Sequence, residues 1–147
     1  MRVYPRTYEV EMIILAVDLG KARTGIAICD KTELLASPLE QISEKDTEVL
    51  LDKISTIAME RKAELIVVGL PKNMDGSEGE SAQNARDFAQ KLREKSGIDV
   101  KMQDERGTTI TAHKYLNATN TRGKKRKNVV DSVAATIILQ SFLDSRK

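Results

Sequence analysis

A chain of 147 residues can bury one substantial core, and 40% hydrophobic with 31% charged residues is the balance of a globular domain. A single cysteine, Cys29, excludes an internal disulfide and fits a reducing compartment; with one histidine beside it, too few soft ligands remain for a zinc site. No apolar run approaches the roughly 20 residues that span a bilayer, and the N-terminus has no signal-peptide pattern, so a cytoplasmic protein with no membrane partner is expected.

Residues 1–11, MRVYPRTYEVE, fit no periodic pattern and read as a flexible N-terminal extension to a single domain over residues 12–147. MIILAVDLG, from Met12 to Gly20, is a near-continuous apolar run, as in a strand buried on both faces. TGIAICD and ELLASPLE follow after short turns, so the first three strands form an antiparallel meander. Ser43 or Asp46 can cap a helix whose apolar stripe is Val49, Leu50, Ile54, Ile57 and Ala58. ELIVVGLP is a second continuous run, parallel to the first strand after the crossover helix. KNMDGSEGES reads as a loop, and Ala82, Ala85, Ala89 and Leu92 mark the next helix, stopped at Ser96-Gly97. IDVKMQD alternates as a fifth strand. A short helix over about 109–116, a basic loop and a last helix from about Asn128 to Phe142 complete the chain, with Val130, Val133, Ala134, Ile137 and Ile138 facing the core. The fold class is α/β: a mixed five-stranded sheet, strands 1–3 antiparallel and 4–5 parallel to strand 1, flanked by helices.

Charge is distributed unevenly. Between Arg106 and Lys127 lie seven Lys or Arg and no acid, so this segment carries +7 against a net of +2 for the chain. RGKKRK, with Arg122, Lys124, Lys125, Arg126 and Lys127, is its densest part. Such a stretch on an acidic body marks a polyanion partner, or is simply a solvated segment. Tyr4, Tyr8, Phe88, Tyr115 and Phe142 are the only aromatic residues, too few for stacking platforms, so nucleic acid would be held by backbone and shape.

Three carboxylates stand out. Asp18 ends the first apolar strand, where an unpaired charge is costly; Glu105 follows the fifth strand, with Asp104 as its rival and Arg106 able to neutralise either. Asp131 lies near the start of the last helix, where an acid can equally be a cap or a dipole partner. If the parallel strands share a sheet, these acids gather at one edge. Such a cluster suits Mg²⁺ or Mn²⁺, two of which can drive phosphodiester hydrolysis.

VDLGKARTGIAICD, VVGLPKNMDGSEG, DERGTT and KKRKNVVDSVAATIILQ resemble, in order and spacing, the YqgF family of Holliday-junction-resolvase-like proteins, described as nucleases of pre-16S ribosomal RNA. The resemblance runs from Met12 to the C-terminus. It implies an RNase H-like fold and an acidic triad of Asp18, Glu105 and Asp131. Gly107 departs from the family, which has a bulky apolar residue after DER. Gly20 and Gly25 are expected in the turn between strands one and two, displaying Lys21 and Arg23, while Lys72, Asn73 and Arg106 are the other candidate substrate contacts. Three functions compete: a metal-dependent endonuclease of structured RNA in ribosome biogenesis, a resolvase of branched DNA acting as a homodimer and not a monomer, and a non-catalytic nucleic-acid-binding module. The likeness of VDLGKARTGIAI to the phosphate loop of actin-like kinases is set aside, because those need two such domains.

Overall fold

The computed structural model describes residues 12–32, 35–105 and 123–146; within the last range it covers the backbone of residues 123–132 but not their side chains. Five strands, β1 (Ile14–Asp18), β2 (Thr24–Cys29), β3 (Ala36–Ile42), β4 (Leu65–Leu70) and β5 (Asp99–Asp104), form one sheet in the order β3-β2-β1-β4-β5. β1, β2 and β3 pair antiparallel, whereas β4 and β5 run parallel to β1. Helices α1 (Thr47–Glu60), α2 (Glu80–Ser96) and α3 (Gly123–Ser145) supply the covering layers. This is the meander-then-crossover order expected from the apolar runs.

Alternation along the strands divides the core in two. Leu15, Val17, Ile66, Val68 and Leu70 point to one face, where Leu50, Leu51 and Ile54 of α1 and Ala85, Phe88 and Leu92 of α2 cover them. Ile14, Ala16, Leu65 and Val67 point to the other, beneath Ala135, Ile138, Leu139, Phe142 and Leu143 of α3. Helix ends follow the expected chemistry. Asp46 accepts a hydrogen bond from the Val49 amide at 3.1 Å as the α1 cap, and Gly97 ends α2 at φ 72°, a left-handed turn that costs glycine little.

Several expectations are corrected. The third strand is Ala36–Ile42, not residues 33–40, and residues 33–34 lie outside the description. It is an edge strand containing Pro38, which has no amide to donate; the register shifts there, so Ile26 pairs with Glu40 and Ala27 with Pro38, leaving Leu39 as an extra, bulged residue. On α1, Val49 is exposed and Leu51 is buried, because the stripe is centred one residue later than the apolar run suggests. On α3, Ile137 is only half-buried, and the helix buries Ala135, Ile138 and Leu139. Its backbone begins at Gly123, so residues 123–127, expected as loop, are helical; Lys and Arg are good helix formers, and a charge run does not break a helix. The expected helix over 109–116 lies outside the described residues.

Candidate active site

Because β1, β4 and β5 are parallel, their carboxyl ends share one edge of the sheet, and the β1–β2 turn, the β4–α2 loop and Glu105 all leave from it. Gly20 makes the turn possible: a Cβ there would collide with the Arg23 carbonyl oxygen, well inside the 3.0 Å that real Cβ atoms respect. Gly25 is not in that turn. It lies in β2, directly opposite Asp18.

The residue facing α3 changes character along each strand. On β1 the α3 face reads Ile14, Ala16, Asp18, and on β4 it reads Leu65, Val67, Gly69. The β1–β4 register, Val17 beside Val68, sets Gly69 next to Asp18. On β5, Gly69 pairs with Gln103, and one more alternation brings Glu105, not Asp104, to the same face. The Glu105 amide donates to the Leu70 carbonyl at 3.2 Å, extending the ladder one residue past the strand. Alternation thus decides between the two adjacent acids.

The carboxyl groups of Asp18 and Glu105 are hydrogen-bonded to each other. Burial, then the charge and hydrogen bond of Asp18, then the charge of Asp104, push the Glu105 carboxyl from its ordinary 4.5 up to about 8. The physical cause is plain: two half-buried carboxylates in contact cannot both be charged without a counterion, so near neutral pH Glu105 keeps a proton and donates it to Asp18. A divalent cation relieves the same repulsion, and this all-oxygen donor set is the kind that Mg²⁺ or Mn²⁺ takes. Among the described residues no third ligand-type side chain joins them.

The third predicted acid, Asp131, falls on the helical backbone of α3, but its side chain lies outside the description. The path of α3 can still be followed. Ile138 Cδ1 sits over Gly69 at the carboxyl edge, while the Gln140 side-chain oxygen accepts from the Ala36 amide at 2.9 Å, beside Cys29 at the opposite end of the sheet. The helix therefore crosses the sheet with its N-terminal half toward the acid pair. Residue 131 precedes Ile138 by two turns, about 10 Å further along the axis.

The other expected contacts divide into two groups. Lys21 is exposed and Arg23 half-buried on the β1–β2 turn, and Lys72 is half-buried just after β4, so all three border the edge. Asn73 is engaged in shaping its own loop: its amide donates to the Ser77 carbonyl at 2.9 Å and its side chain to the Ser77 hydroxyl at 2.9 Å. Asp75 accepts from the Ser77 amide and hydroxyl, and Arg86 holds Glu78 with two 2.8 Å bonds, so the loop is folded by its own side chains. Arg106 and Arg122 lie outside the described residues, as do the side chains of Lys124, Lys125, Arg126 and Lys127. Sequence reasoning missed Gly69. The available signal was a lone glycine inside the apolar strand LIVVGL, which marks a close approach.

Comparison with known proteins is consistent across sequence and structure. A family model described as "RuvX: Holliday junction resolvase" matches residues 12–145. A protein of Nitrosospira multiformis is 42% identical over 90% of this chain and 87% of its own length; one of Bacillus thuringiensis is 42% identical over 92% of this chain and 100% of its own. Both bear the name "Putative pre-16S rRNA nuclease". In fold the chain is similar to Thermus thermophilus RuvC bound to a Holliday junction, with a TM-score of 0.59 at 12% identity over 92% of this chain and 95% of that one. It is similar also to the Fowlpox virus resolvase in complex with its junction, with a TM-score of 0.58 at 13% identity over 91% and 98%. At such identities the likeness establishes the RNase H-like architecture that the strand order describes. With 42% identity over nearly the whole chain and a family match from the first strand into the last helix, this chain is a member of the RuvX (YqgF) family.

Proposed function

We propose that the chain is a divalent-metal-dependent endonuclease that hydrolyses phosphodiester bonds in structured RNA, with the precursor of 16S ribosomal RNA as its substrate in the cytoplasm. One observation carries the reading: Asp18 and Glu105, distant in sequence, meet at the carboxyl edge of the sheet in a pair whose charges call for a cation. The names of the 42% identical relatives support the choice of substrate.

Asp18 and Glu105 would hold the cation, with Asp131 as the third ligand. A bound Mg²⁺ or Mn²⁺, or a pair of them, would polarise the phosphoryl group and lower the pKa of water. Around it, Lys21, Arg23, Lys72 and Arg106 would hold substrate phosphates, and Arg122 with Lys124 to Lys127 would anchor the backbone beyond the cut. If those last five each neutralise one duplex phosphate, log affinity falls against log salt with a slope of about −4 to −5, at roughly −0.9 per contact; a slope near zero removes that segment as the anchor.

The family description favours a second reading, cleavage of four-way DNA junctions. Incubating the protein with precursor rRNA and with a junction side by side, in Mg²⁺ or Mn²⁺, separates the two, with Asp18→Asn as control. Cleavage of RNA alone, lost in that variant, upholds the proposal. Symmetric cutting of the junction by a dimer replaces it with the resolvase reading, and nucleic-acid binding without Mn²⁺ binding or cleavage replaces it with a binding module.

A further inference from the structure

Neighbouring strands lie about 4.8 Å apart, so Asp18 on β1 and the residue after β5 are separated by two strand spacings, nearly 10 Å, with β4 between them. A side chain that joins them must lie flat across β4. At that register the β4 residue on the α3 face is Gly69. A Cβ built on Gly69 would overlap Glu105 Oε2, well under the 3.0 Å that real Cβ atoms keep, and would stand 3.2 Å from Glu105 Cδ. From above, Ile138 Cδ1 would be 2.8 Å from the same Cβ, so the space over Gly69 is narrow on that side too. The Glu105 amide donates to the Leu70 carbonyl, so moving its backbone away would break that bond. Across β1, the position opposite Asp18 is also a glycine, Gly25. Asp18 therefore sits between two residues without side chains, and Glu105 uses the gap on one side.

We propose that Gly69 is a positioning residue: the missing side chain on β4 is the channel through which Glu105 reaches Asp18, and it makes one cation site out of two acids on non-adjacent strands. This rests on the function proposed above, which supplies the cation, but the geometric part can be tested without it. Every β4 residue other than Gly69 on this face is apolar and supports α3. Any residue larger than glycine at 69 would act as a wall between the acids while leaving the strand's hydrogen bonds intact.

The test is Gly69→Ala, with Mn²⁺ affinity of the protein alone read by electron paramagnetic resonance or calorimetry and folding read by circular dichroism. The expected result is a folded protein whose Mn²⁺ affinity is at least about 10-fold weaker, the scale of loss when ligand orientation is disturbed. A merely structural role would lower the melting temperature without changing the affinity of the folded protein, and equal affinity overturns the proposal. If Gly69→Ala does not fold, Gly69→Ala with Ile138→Val removes the second conflict and leaves only the one with Glu105. Melting temperatures complete a cycle with Glu105→Ala: the drop caused by Gly69→Ala should shrink by at least half when the Glu105 carboxyl is absent. An undiminished drop overturns the proposal. Should the parent bind no Mn²⁺ at all, the metal-dependent function fails, and this cycle alone decides whether Gly69 makes room for Glu105.

Discussion

The two faces of the sheet are made by the same strands and do opposite things. Toward α1 and α2, β1 and β4 present Leu15, Val17, Ile66, Val68 and Leu70, apolar from one end to the other. Toward α3, the same strands present Ile14 and Ala16, Leu65 and Val67, and then at the carboxyl edge Asp18 and Gly69. Val17 and Asp18 are neighbours in sequence, yet one is wholly buried in a core and the other meets Glu105 in a site. One face carries the stability that lets the other hold two acids in contact, an arrangement that costs stability when no cation is bound.

Breaking the site face should produce the largest change in activity. Asp18→Asn is expected to lower cleavage by about a thousandfold or more, the scale seen when one member of a cooperating catalytic set is removed. Its melting temperature above about pH 8 should be no lower than the parent's, because there Glu105 is ionised and the substitution removes a like charge beside it. A variant that unfolds would show Asp18 to be structural. Breaking the core face should do the reverse. Ile66→Ala, at a site with no exposure, is expected to cost about 2–5 kcal/mol in denaturant unfolding, with normal cleavage by the fraction that remains folded.

The comparison is sharpened by pH. With its carboxyl pushed up to about 8, Glu105 binds a proton in the folded state over a range in which the unfolded chain, near 4.5, does not. Stability from this group is therefore full below about 4.5 and is lost as pH rises, with the loss complete above about 8. In metal-free buffer, the unfolding free energy should fall between pH 5 and pH 8 by at most about 1.4 kcal/mol per pH unit. Glu105→Gln should flatten that fall, and Mn²⁺ should do the same by binding the deprotonated pair. An identical profile for the parent and Glu105→Gln would refute the coupling. The smallest effect belongs to a site remote from both features: Asp46→Ala, which removes the α1 cap, should cost about 1 kcal/mol and leave metal binding untouched.

Much of this molecule was legible in its residues. Two continuous apolar runs, Met12 to Gly20 and Glu64 to Pro71, fixed the central parallel pair, since a strand buried on both faces cannot alternate. Short turns fixed the meander, and Asp46 and Gly97 marked helix ends through local hydrogen bonds and a left-handed turn. The candidate acids were visible because a charge ending an apolar run is costly unless it has a use. What failed was information that resides in neighbours. The third strand slid because Pro38 is tolerated at a bulged sheet edge, and only pairing shows where the edge is. The basic residues 123–127 look like a loop in the sequence yet are helical, because charge density says nothing about backbone hydrogen bonding.

By itself, then, the amino-acid order determined which segments are strands and helices, how they succeed one another, and which acids stand at strand ends, all consequences of periodicity and local chemistry. The resemblance already named Glu105, but only the tertiary structure put it, and not Asp104, on the face of Asp18, moved Gly25 from a turn to a place opposite Asp18, and gave Gly69 a purpose. The reason is register: a one-residue step in a strand reverses the face a side chain occupies, and the meeting of two acids across an intervening strand depends on a residue that contributes no side chain at all.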